Sequence, residues 1–254
     1  MKVVAYGGGT NSTAMLILML ETGIRPDLIL FADTGGEKPH TYKHLDIVNL
    51  WCEKVGFPKI ISVQKKGRIY VKETLEENCL RKNMLPSIAY GYKSCSLKYK
   101  VQPQDMYCNN DNNCKSVWNN GGKVSKYIGY DADEERRAKI KCDNKYNYLY
   151  PLISSDWGRD ECISAIKRHN LPQPGKSACF FCPSSKKIEI LNLRDQYPEL
   201  LDRALKMEKQ ANLTSVQGLG RSFSWSDFIN NYDKQPDLFS DAGKEMDCGC
   251  YDGD

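Results

Sequence analysis

A pair of cysteines near residue 180 has the spacing of a metal or redox site. Cys179 and Cys182 are separated by two phenylalanines and followed by Pro183. In a Cys-x-x-Cys segment, the intervening turn brings both sulfur atoms to one side, where they can bind one metal ion. A single pair can also be redox-active or merely structural, so a metal site needs further thiols. Upstream, Cys95 and Cys162 are the candidates for these thiols.

Three consecutive glycines, Gly7, Gly8 and Gly9, stand between a strand-like run and a helix-like run. Without side chains, such a loop lets backbone N–H groups and the positive end of the following helix approach phosphates closely. The chain has neither the Gly-Lys-Ser/Thr ending of a Walker loop nor the GxGxxG spacing of dinucleotide-binding folds. The loop therefore predicts either a phosphate site or a tight turn without a ligand.

The elements that must position these residues alternate between strand and helix in the first part of the chain. Three short apolar runs have the length of buried strands, and two longer segments between them have apolar residues at helical spacing. Such alternation predicts βαβ units and an α/β fold with a doubly wound, mostly parallel sheet. The predicted strands are residues 3–6, 27–32 and 59–63, and the predicted helices are residues 13–21 and 41–55.

The rest of the chain predicts a less regular organisation. The asparagine-rich residues 108–122 predict an exposed loop or turn cluster. Its Cys108 and Cys114 could suggest a metal site, but a flexible insertion with incidental cysteines is expected. A further strand is expected at residues 127–130, and residues from 217 onward predict a loosely packed tail with a short helix near 225–229. Further helices are expected at residues 159–169, 188–196 and 199–211. We therefore expect an α/β nucleotide-binding domain at 1–158 and a cysteine-rich helical extension at 159–254.

Composition narrows the functional classes. The 254 residues carry a formal charge of +4, which is too small to indicate nucleic acid by itself. No apolar run approaches the length of a membrane span, and no signal peptide is evident, so a cytoplasmic location without membrane attachment is predicted. Eleven cysteines are many for a reducing compartment. They are therefore expected to be core residues, metal ligands or reactive thiols rather than disulfides.

Several motifs together resemble one superfamily. The segment GGGTNS at residues 7–12 resembles the SGGxDS PP-loop of the adenine-nucleotide alpha-hydrolase superfamily. That superfamily includes N-type ATP pyrophosphatases, tRNA thiolation enzymes and phosphoadenosine phosphosulfate (PAPS) reductases. Matching segments follow in order at residues 31–48, 93–103, 129–137 and 150–166. The likeness spans roughly residues 3–185. Across this stretch the chain is similar to PAPS reductase-like proteins of phages and mobile elements. It implies a HUP-type α/β fold.

The resemblance also implies a set of nucleotide-binding residues. Asn11 stands where the family has an aspartate that helps hold magnesium, and an amide is a poorer ligand for this hard cation. Asp131 stands where the family carries an arginine. Asp33, at the end of the second strand, is expected to act in catalysis as well as in binding. The full predicted set is Gly7, Gly8, Gly9, Asn11, Ser12, Asp33, Thr34, Lys100 and Arg137.

The same resemblance implies a metal centre. Iron–sulfur-containing adenylylsulfate reductases carry a cysteine pair near the position of Cys95 and a Cys-x-x-Cys well downstream. By this likeness the expected ligands are Cys95, Cys162, Cys179 and Cys182, with His169 as a substitute. Four thiolates suit an iron–sulfur cluster or, alternatively, structural zinc.

A further thiol lies near the end of the chain. Asp247-Cys248-Gly249 is similar to the Glu-Cys-Gly motif whose thiolate attacks the sulfonate sulfur in thioredoxin-dependent PAPS reductases. The resemblance implies a catalytic nucleophile at Cys248. The acidic neighbours would raise the pKa of that thiol, which argues against a permanently activated thiolate. Alternatively, Cys248 and Cys250 complete the metal site or have no role.

The predicted function is an enzyme that binds an adenine nucleotide, ATP or PAPS, and acts in sulfur metabolism. It would either reduce activated sulfate with a thiol reductant or adenylate an acceptor before transfer of sulfur from a donor protein. An alternative is a DNA- or tRNA-modifying or defence-linked component, for which Lys65-Lys66-Gly67-Arg68 and Lys186-Lys187 could contact a phosphate backbone. A nucleotide-binding module without catalysis is a second alternative.

Overall fold

A computed structural model of the chain describes residues 1–66 and 72–234. Over these ranges the strands, in chain order, are β1 (Lys2–Tyr6), β2 (Leu28–Ala32), β3 (Ile60–Val63), β4 (Val124–Ile128) and β5 (Tyr146–Leu149). The α-helices are α1 (Thr10–Glu21), α2 (Pro39–Lys54), α3 (Leu75–Arg81), α4 (Ser94–Ser96), α5 (Gln102–Asn110), α6 (Asn112–Asn119), α7 (Pro151–Ser154), α8 (Arg159–Arg168), α9 (Lys187–Gln196), α10 (Pro198–Gln210) and α11 (Trp225–Lys234). The same ranges contain 3₁₀ helices at Ser87–Tyr90 and Ala132–Arg137 and a π-helical segment at Leu97–Val101. None of these described helices is long and apolar enough to cross a membrane.

Within the described residues, five strands form a parallel sheet in the order β3-β2-β1-β4-β5. The central strand β1 pairs with β2 on one side and with β4 on the other, so that Val4 lies opposite Ile29 and Tyr127. Along the chain, β2 and β3 are added outward from β1 on one side. The chain then crosses back, and β4 and β5 are added outward on the other side of β1. This reversal lies between β1 and β4. In open α/β sheets, ligands bind beyond the carboxyl ends of the strands at such a point.

Helices cover both faces of the sheet. Since consecutive side chains of a strand point to opposite faces, each strand contributes side chains to two cores. Every residue of β2 is buried, as expected for a strand with helices on both sides. Ile29 and Phe31 pack in a core with residues of α1, α2 and α8. Leu28 and Leu30 pack on the other face, in a core that contains Cys108 of α5 and Cys114 of α6. The predicted doubly wound α/β architecture is confirmed.

The division of the chain differs from the predicted boundary at residue 158. One compact unit contains the sheet, and the other contains α3, α9, α10 and α11. Helix α8, expected in the extension, packs on α1 within the first unit. The first unit is Met1–Asp33, Glu37–Gln64 and Lys100–Ser177, and the second is Thr34–Gly36, Lys65–Tyr99 and the described residues from Ala178 onward.

Two segments predicted to be irregular are ordered elements. Residues 108–122 were expected to form an exposed loop, but α5 and α6 cover most of this stretch and bury Cys108 and Cys114 completely. Residues from 217 onward were expected to be a loosely packed tail with a short helix near 225–229. The helix is present as α11, but the preceding residues are not loosely packed, because Leu219 and Trp225 are fully buried in the core of the second unit. In both segments, a few apolar or sulfur-containing side chains at core positions outweigh a polar composition.

Candidate functional site

The glycine loop lies at the carboxyl end of β1, where the direction of sheet building reverses. Gly8 has a φ angle of +76°, which favours glycine. A Cβ atom on Gly8 would lie 2.9 Å from Thr41 Cγ2 and 3.3 Å from Phe31 Cε2. Gly7 is exposed, and among the described residues a Cβ atom there would meet only Ser12 Oγ, at 3.7 Å. The loop is therefore tightly packed on its inner side and accessible on its outer side.

The first turn of α1 presents its amide groups at this loop. Gly9 is the N-cap residue and has no side chain with which to cap the helix. The N–H groups of a first helical turn, here those of Thr10, Asn11 and Ser12, have no acceptor within the helix. The Ser12 hydroxyl donates to the Gly9 carbonyl oxygen at 3.0 Å and accepts from the Gly9 N–H at 3.2 Å, while Gln173 Nε2 donates to Thr10 Oγ1 at 2.7 Å. The positive end of the helix dipole thus points to the loop, which suits an anion.

Asn11 connects α1 to the segment that follows β4. Its Nδ2 atom donates to Asp131 Oδ2 at 2.8 Å and to Glu134 Oε2 at 3.0 Å, and its Oδ1 atom accepts from Arg159 Nη1 at 3.1 Å. Gly129 makes this approach possible, because a Cβ atom there would lie 3.0 Å from the Asn11 carbonyl oxygen. Both amide hydrogens of Asn11 are used by carboxylates, so the side chain holds two segments together in this arrangement and has no hydrogen left for a phosphate.

Arg137 forms an ion pair with one of the two acidic residues beside Asn11. Asp131 is 3% exposed, and its Oδ1 atom has no hydrogen-bond partner among the described residues. Burial, and then the charge of Glu134, raise the pKa of the Asp131 carboxyl group. Arg137 forms an ion pair with Glu134, and its guanidinium carbon lies 4.1 Å from the centre of the Tyr130 ring. The predicted phosphate ligand Arg137 therefore lies in the group of side chains that contacts α1 through Glu134 and Asn11.

Two acidic residues that follow β2 are also held by defined partners. Asp33 accepts a hydrogen bond from the Tyr42 hydroxyl at 2.8 Å and another from Gln64 Nε2 at 2.7 Å. Burial and the Asp33 carboxylate raise the pKa of Tyr42, which keeps this hydroxyl a donor. Lys100 Nζ lies 3.4 Å from Oε1 of Glu37, whose side chain is 1% exposed. These contacts fix Asp33 and Lys100 in position, while their predicted roles toward a nucleotide stay predictions.

Sequence reasoning missed a segment that lies against the glycine loop. A Cβ atom on Gly9 would lie 3.1 Å from Ser177 Oγ, so this hydroxyl is next to the loop. The segment is held by His40, whose Nε2 atom lies 3.2 Å from the Lys176 carbonyl oxygen. A Cβ atom on Gly175 would lie 2.7 Å from the same Nε2 atom. A lone serine far along the chain has no spacing signal, so only the fold identifies it.

The four predicted metal ligands do not form a metal-binding group. Among the described residues, no three His, Cys, Asp or Glu side chains are placed to hold one metal ion. Cys162 is fully buried in the core of the first unit, and burial raises the pKa of its thiol to about 12. The other three, Cys95, Cys179 and Cys182, belong to the second unit. The assignment of Cys162 as their fellow ligand is therefore not supported, because the thiol lies on the apolar face by which α8 packs.

The Cys-x-x-Cys pair has the expected turn geometry. The Cys182 N–H donates to the Cys179 carbonyl oxygen at 3.0 Å. Thr34, a predicted nucleotide ligand, lies in this second unit with its Oγ1 atom 3.2 Å from Cys179 Sγ. An iron–sulfur or zinc site needs more thiolates around one ion than this pair supplies. The described donor atoms thus do not fit an iron–sulfur cluster or a zinc ion. A metal centre stays a prediction, and so does a magnesium ion at the glycine loop.

Some predicted residues lie outside the described part of the chain. These are Cys248 and Cys250 near the end, and Gly67 and Arg68 of the first basic run. Within the described part of that run, the Lys65 amine lies 3.5 Å from Glu73 Oε2 and 3.0 Å from the Tyr99 hydroxyl. This amine has internal partners, so the geometry gives no specific support to a DNA or tRNA backbone at this position.

Comparison with known proteins finds similarity among solved structures. No protein-family model matches the chain, and no curated protein sequence matches it significantly. Among solved structures, the chain is similar to the U34-tRNA thiolase NcsA from Methanococcus maripaludis, solved with its 4Fe-4S cluster. The sequences are 16% identical, the match covers 91% of this chain and 80% of the thiolase chain, and the TM-score is 0.42. At such values the similarity carries no argument about function.

Proposed function

We propose that the first unit binds the phosphate groups of an adenine nucleotide at the glycine loop. The observation that carries this proposal is the position of the loop: it follows the central strand at the reversal point of a parallel sheet and leads directly into α1. Its outer residue, Gly7, is exposed, and the N-cap residue Gly9 leaves the first-turn amides without a side-chain cap. The choice of adenine rests on the resemblance of residues 7–12 to the PP-loop.

The chain is proposed to be an enzyme of sulfur metabolism of the PP-loop type. In an adenylating reaction, an acceptor oxygen attacks the α-phosphorus of ATP, and the bond to the leaving pyrophosphate breaks. The amides of Gly8, Gly9 and the first turn of α1 would stabilise the leaving pyrophosphate, and Arg137 would balance the developing charge. Asp33, held by Tyr42 and Gln64, would face the ligand from the end of β2. Reduction of PAPS at the same loop is the other reaction of this class.

Substitutions of Gly7 test the phosphate site without disturbing the fold. A side chain at this position meets little besides the Ser12 hydroxyl, and the backbone does not need a glycine there. Gly7→Asp places a negative charge at the loop, and we expect it to weaken ATP binding by at least about tenfold, or 1.4 kcal/mol. Gly7→Asn has nearly the same shape without the charge, so its dissociation constant for ATP should stay much closer to that of the wild type.

Isothermal titration calorimetry measures the dissociation constant of each variant for ATP. The thermal unfolding midpoint of each variant shows whether the fold is intact. Both variants are expected to unfold at the temperature of the wild type. Wild-type protein that binds neither ATP nor PAPS, or equal binding by the two variants, contradicts the proposal. If ATP binds, release of AMP and pyrophosphate indicates adenylation, whereas release of sulfite from PAPS indicates reduction. Tight binding without either product indicates the non-catalytic alternative.

A further inference from the structure

Three sulfur atoms meet on the face of the sheet that α5 and α6 cover. Cys108 and Cys114 are both fully buried, and their thiols lie beside each other. Cys114 Sγ lies 3.4 Å from Met1 Sδ. The cluster is separate from the glycine loop and from the Cys-x-x-Cys pair, which belongs to the second unit. We call Cys108, Cys114 and Met1 the sulfur cluster.

The backbone holds each member of the sulfur cluster in place. Asp111 ends α5 and is the N-cap residue of α6, where its Oδ1 atom accepts from the Cys114 N–H at 2.8 Å. This short connection places Cys108 and Cys114 on the inner side of a pair of consecutive helices. Met1 is fixed by the sheet, because the Ser125 N–H donates to its carbonyl oxygen at 2.9 Å. The approach of the three sulfur atoms is thus set by secondary structure rather than by mobile side chains alone.

The apolar core around the sulfur cluster also contains two buried polar side chains, Tyr146 and Lys126. Tyr146 is 4% exposed, and its hydroxyl lies beside the Cys108 thiol without a regular hydrogen-bond partner among the described residues. Lys126 is also 4% exposed. Its Nζ atom lies 2.6 Å from Asp105 Oδ1, and its charge acts on Cys108. A plain apolar core needs neither a buried hydroxyl without a partner nor a buried ammonium group, since both are costly to bury.

We propose that the sulfur cluster binds a monovalent, thiophilic d¹⁰ cation of the Cu(I) class. Thiolate and thioether sulfur atoms are soft ligands that select such ions over magnesium or calcium, which prefer oxygen. On binding, Cys108 and Cys114 each lose a proton to the solvent and each form one bond to the metal, while Met1 adds a neutral third ligand. No atom changes oxidation state. The complex carries one negative charge and lies near the Lys126 ammonium, which is also paired with Asp105.

The buried hydroxyl of Tyr146 completes the site as a second layer of contacts. It is positioned to donate a hydrogen bond to the Cys108 thiolate once the metal has displaced the thiol proton. Such outer contacts orient metal ligands and contribute to affinity. Because Met1 is partly exposed and both cysteines are buried, we expect an incoming ion to meet the thioether first.

Anaerobic titration with Cu(I) against the chromophoric chelator bicinchoninate tests the proposal. Since other cysteines also bind copper, the decisive quantity is a difference between variants. The double variant Cys108→Ser/Cys114→Ser should lose one equivalent of chelator-resistant copper relative to the wild type. The matched control Cys52→Ser/Cys79→Ser removes two other buried thiols, one from each unit, and should lose none.

A second variant keeps the test valid if the double variant does not fold. Tyr146→Phe retains all three sulfur atoms and is expected to keep the copper equivalent while binding it roughly tenfold more weakly. Equal copper content of the wild type and the Cys108/Cys114 double variant overturns the proposal, as does unchanged affinity in Tyr146→Phe. A disulfide between Cys108 and Cys114 in the purified protein, detected as a cross-linked peptide by mass spectrometry, overturns it as well.

Discussion

Asn11 joins three charged side chains at the first turn of α1. Its amide group donates to Asp131 and Glu134, and its carbonyl oxygen accepts from Arg159. Asn11→Asp has almost the same shape but replaces the donor with a carboxylate oxygen that faces two other carboxylates. We expect the free energy of unfolding to fall by about 2 kcal/mol or more, because hydrogen bonds to charged groups are lost and like charges meet.

Urea unfolding of the variant, compared with the wild type, measures this loss. Asn109→Asp is a matched control, because exposed Asn109 accepts a hydrogen bond from Lys145 Nζ at 2.7 Å and a carboxylate suits that partner equally well. The control should change the free energy of unfolding by no more than about 0.5 kcal/mol. An Asn11→Asp variant as stable as this control would show that Asn11 does not bridge the two segments.

At the scale of single residues, the sequence predicts chemistry where it is local. The glycines at 7–9 and the cysteine turn at 179–182 are detectable because the residues that act together are neighbours in the chain. The contacts of Asn11 with Asp131 and of Gly9 with Ser177 join residues more than a hundred positions apart. Residue types alone give no signal for such pairs.

At the scale of elements, a buried glutamate organises the segment that connects α10 to α11. Glu208 is 4% exposed, and its two carboxylate oxygens accept hydrogen bonds from two side-chain hydroxyls and three backbone N–H groups. The donors are the N–H groups of Leu219, Trp225 and Ser226 and the hydroxyls of Ser224 and Ser226. Glu208→Gln points an amide at some of these donors, and we expect it to lower the free energy of unfolding by about 3 kcal/mol.

Limited trypsin digestion reports the same change locally. Arg221 is exposed within the segment that Glu208 holds, so the variant should be cleaved there faster than the wild type. Glu199→Gln makes an identical replacement at an exposed position of α10 and should leave both stability and cleavage nearly unchanged. Equal cleavage of all three proteins at Arg221 would mean that Glu208 is not what orders the segment.

The periodicity of apolar residues predicts an element well where the elements it packs against are close to it in the sequence. The first three strands and the helices between them lie within a few residues of their expected bounds, since apolar alternation and spacing record them directly. Helices α5 and α6 were missed because six asparagines at 109–120 hide the few core positions that matter. The ordered packing of residues 217–224 before α11 was missed because it depends on Glu208, which no pattern within the segment reveals.

At the scale of the whole molecule, two histidines are expected to make the folded chain less stable at acidic pH. His44 is 4% exposed, and its Nε2 atom lies 3.1 Å from Thr13 Oγ1. Burial lowers the pKa of both His44 and His40. In the folded chain these side chains bind a proton less readily than in the unfolded chain, where the pKa is near 6.5. Acidification therefore favours the unfolded state, and their contribution to stability is present above pH 6.5 and declines as the pH falls through the lowered values.

Urea unfolding at pH 7.5 and at pH 5.5 measures this dependence. We expect the wild type to be less stable at pH 5.5 than at pH 7.5, because the unfolded chain binds protons at these two histidines more readily than the folded chain does. His44→Gln removes one of the two groups and should reduce the loss of stability between pH 7.5 and pH 5.5. His169→Gln is the control, because His169 is less buried than His44 and its Nε2 atom lies 3.2 Å from Glu21 Oε1. A loss of stability on acidification that is the same in His44→Gln as in the wild type would show that the buried imidazole is not its source.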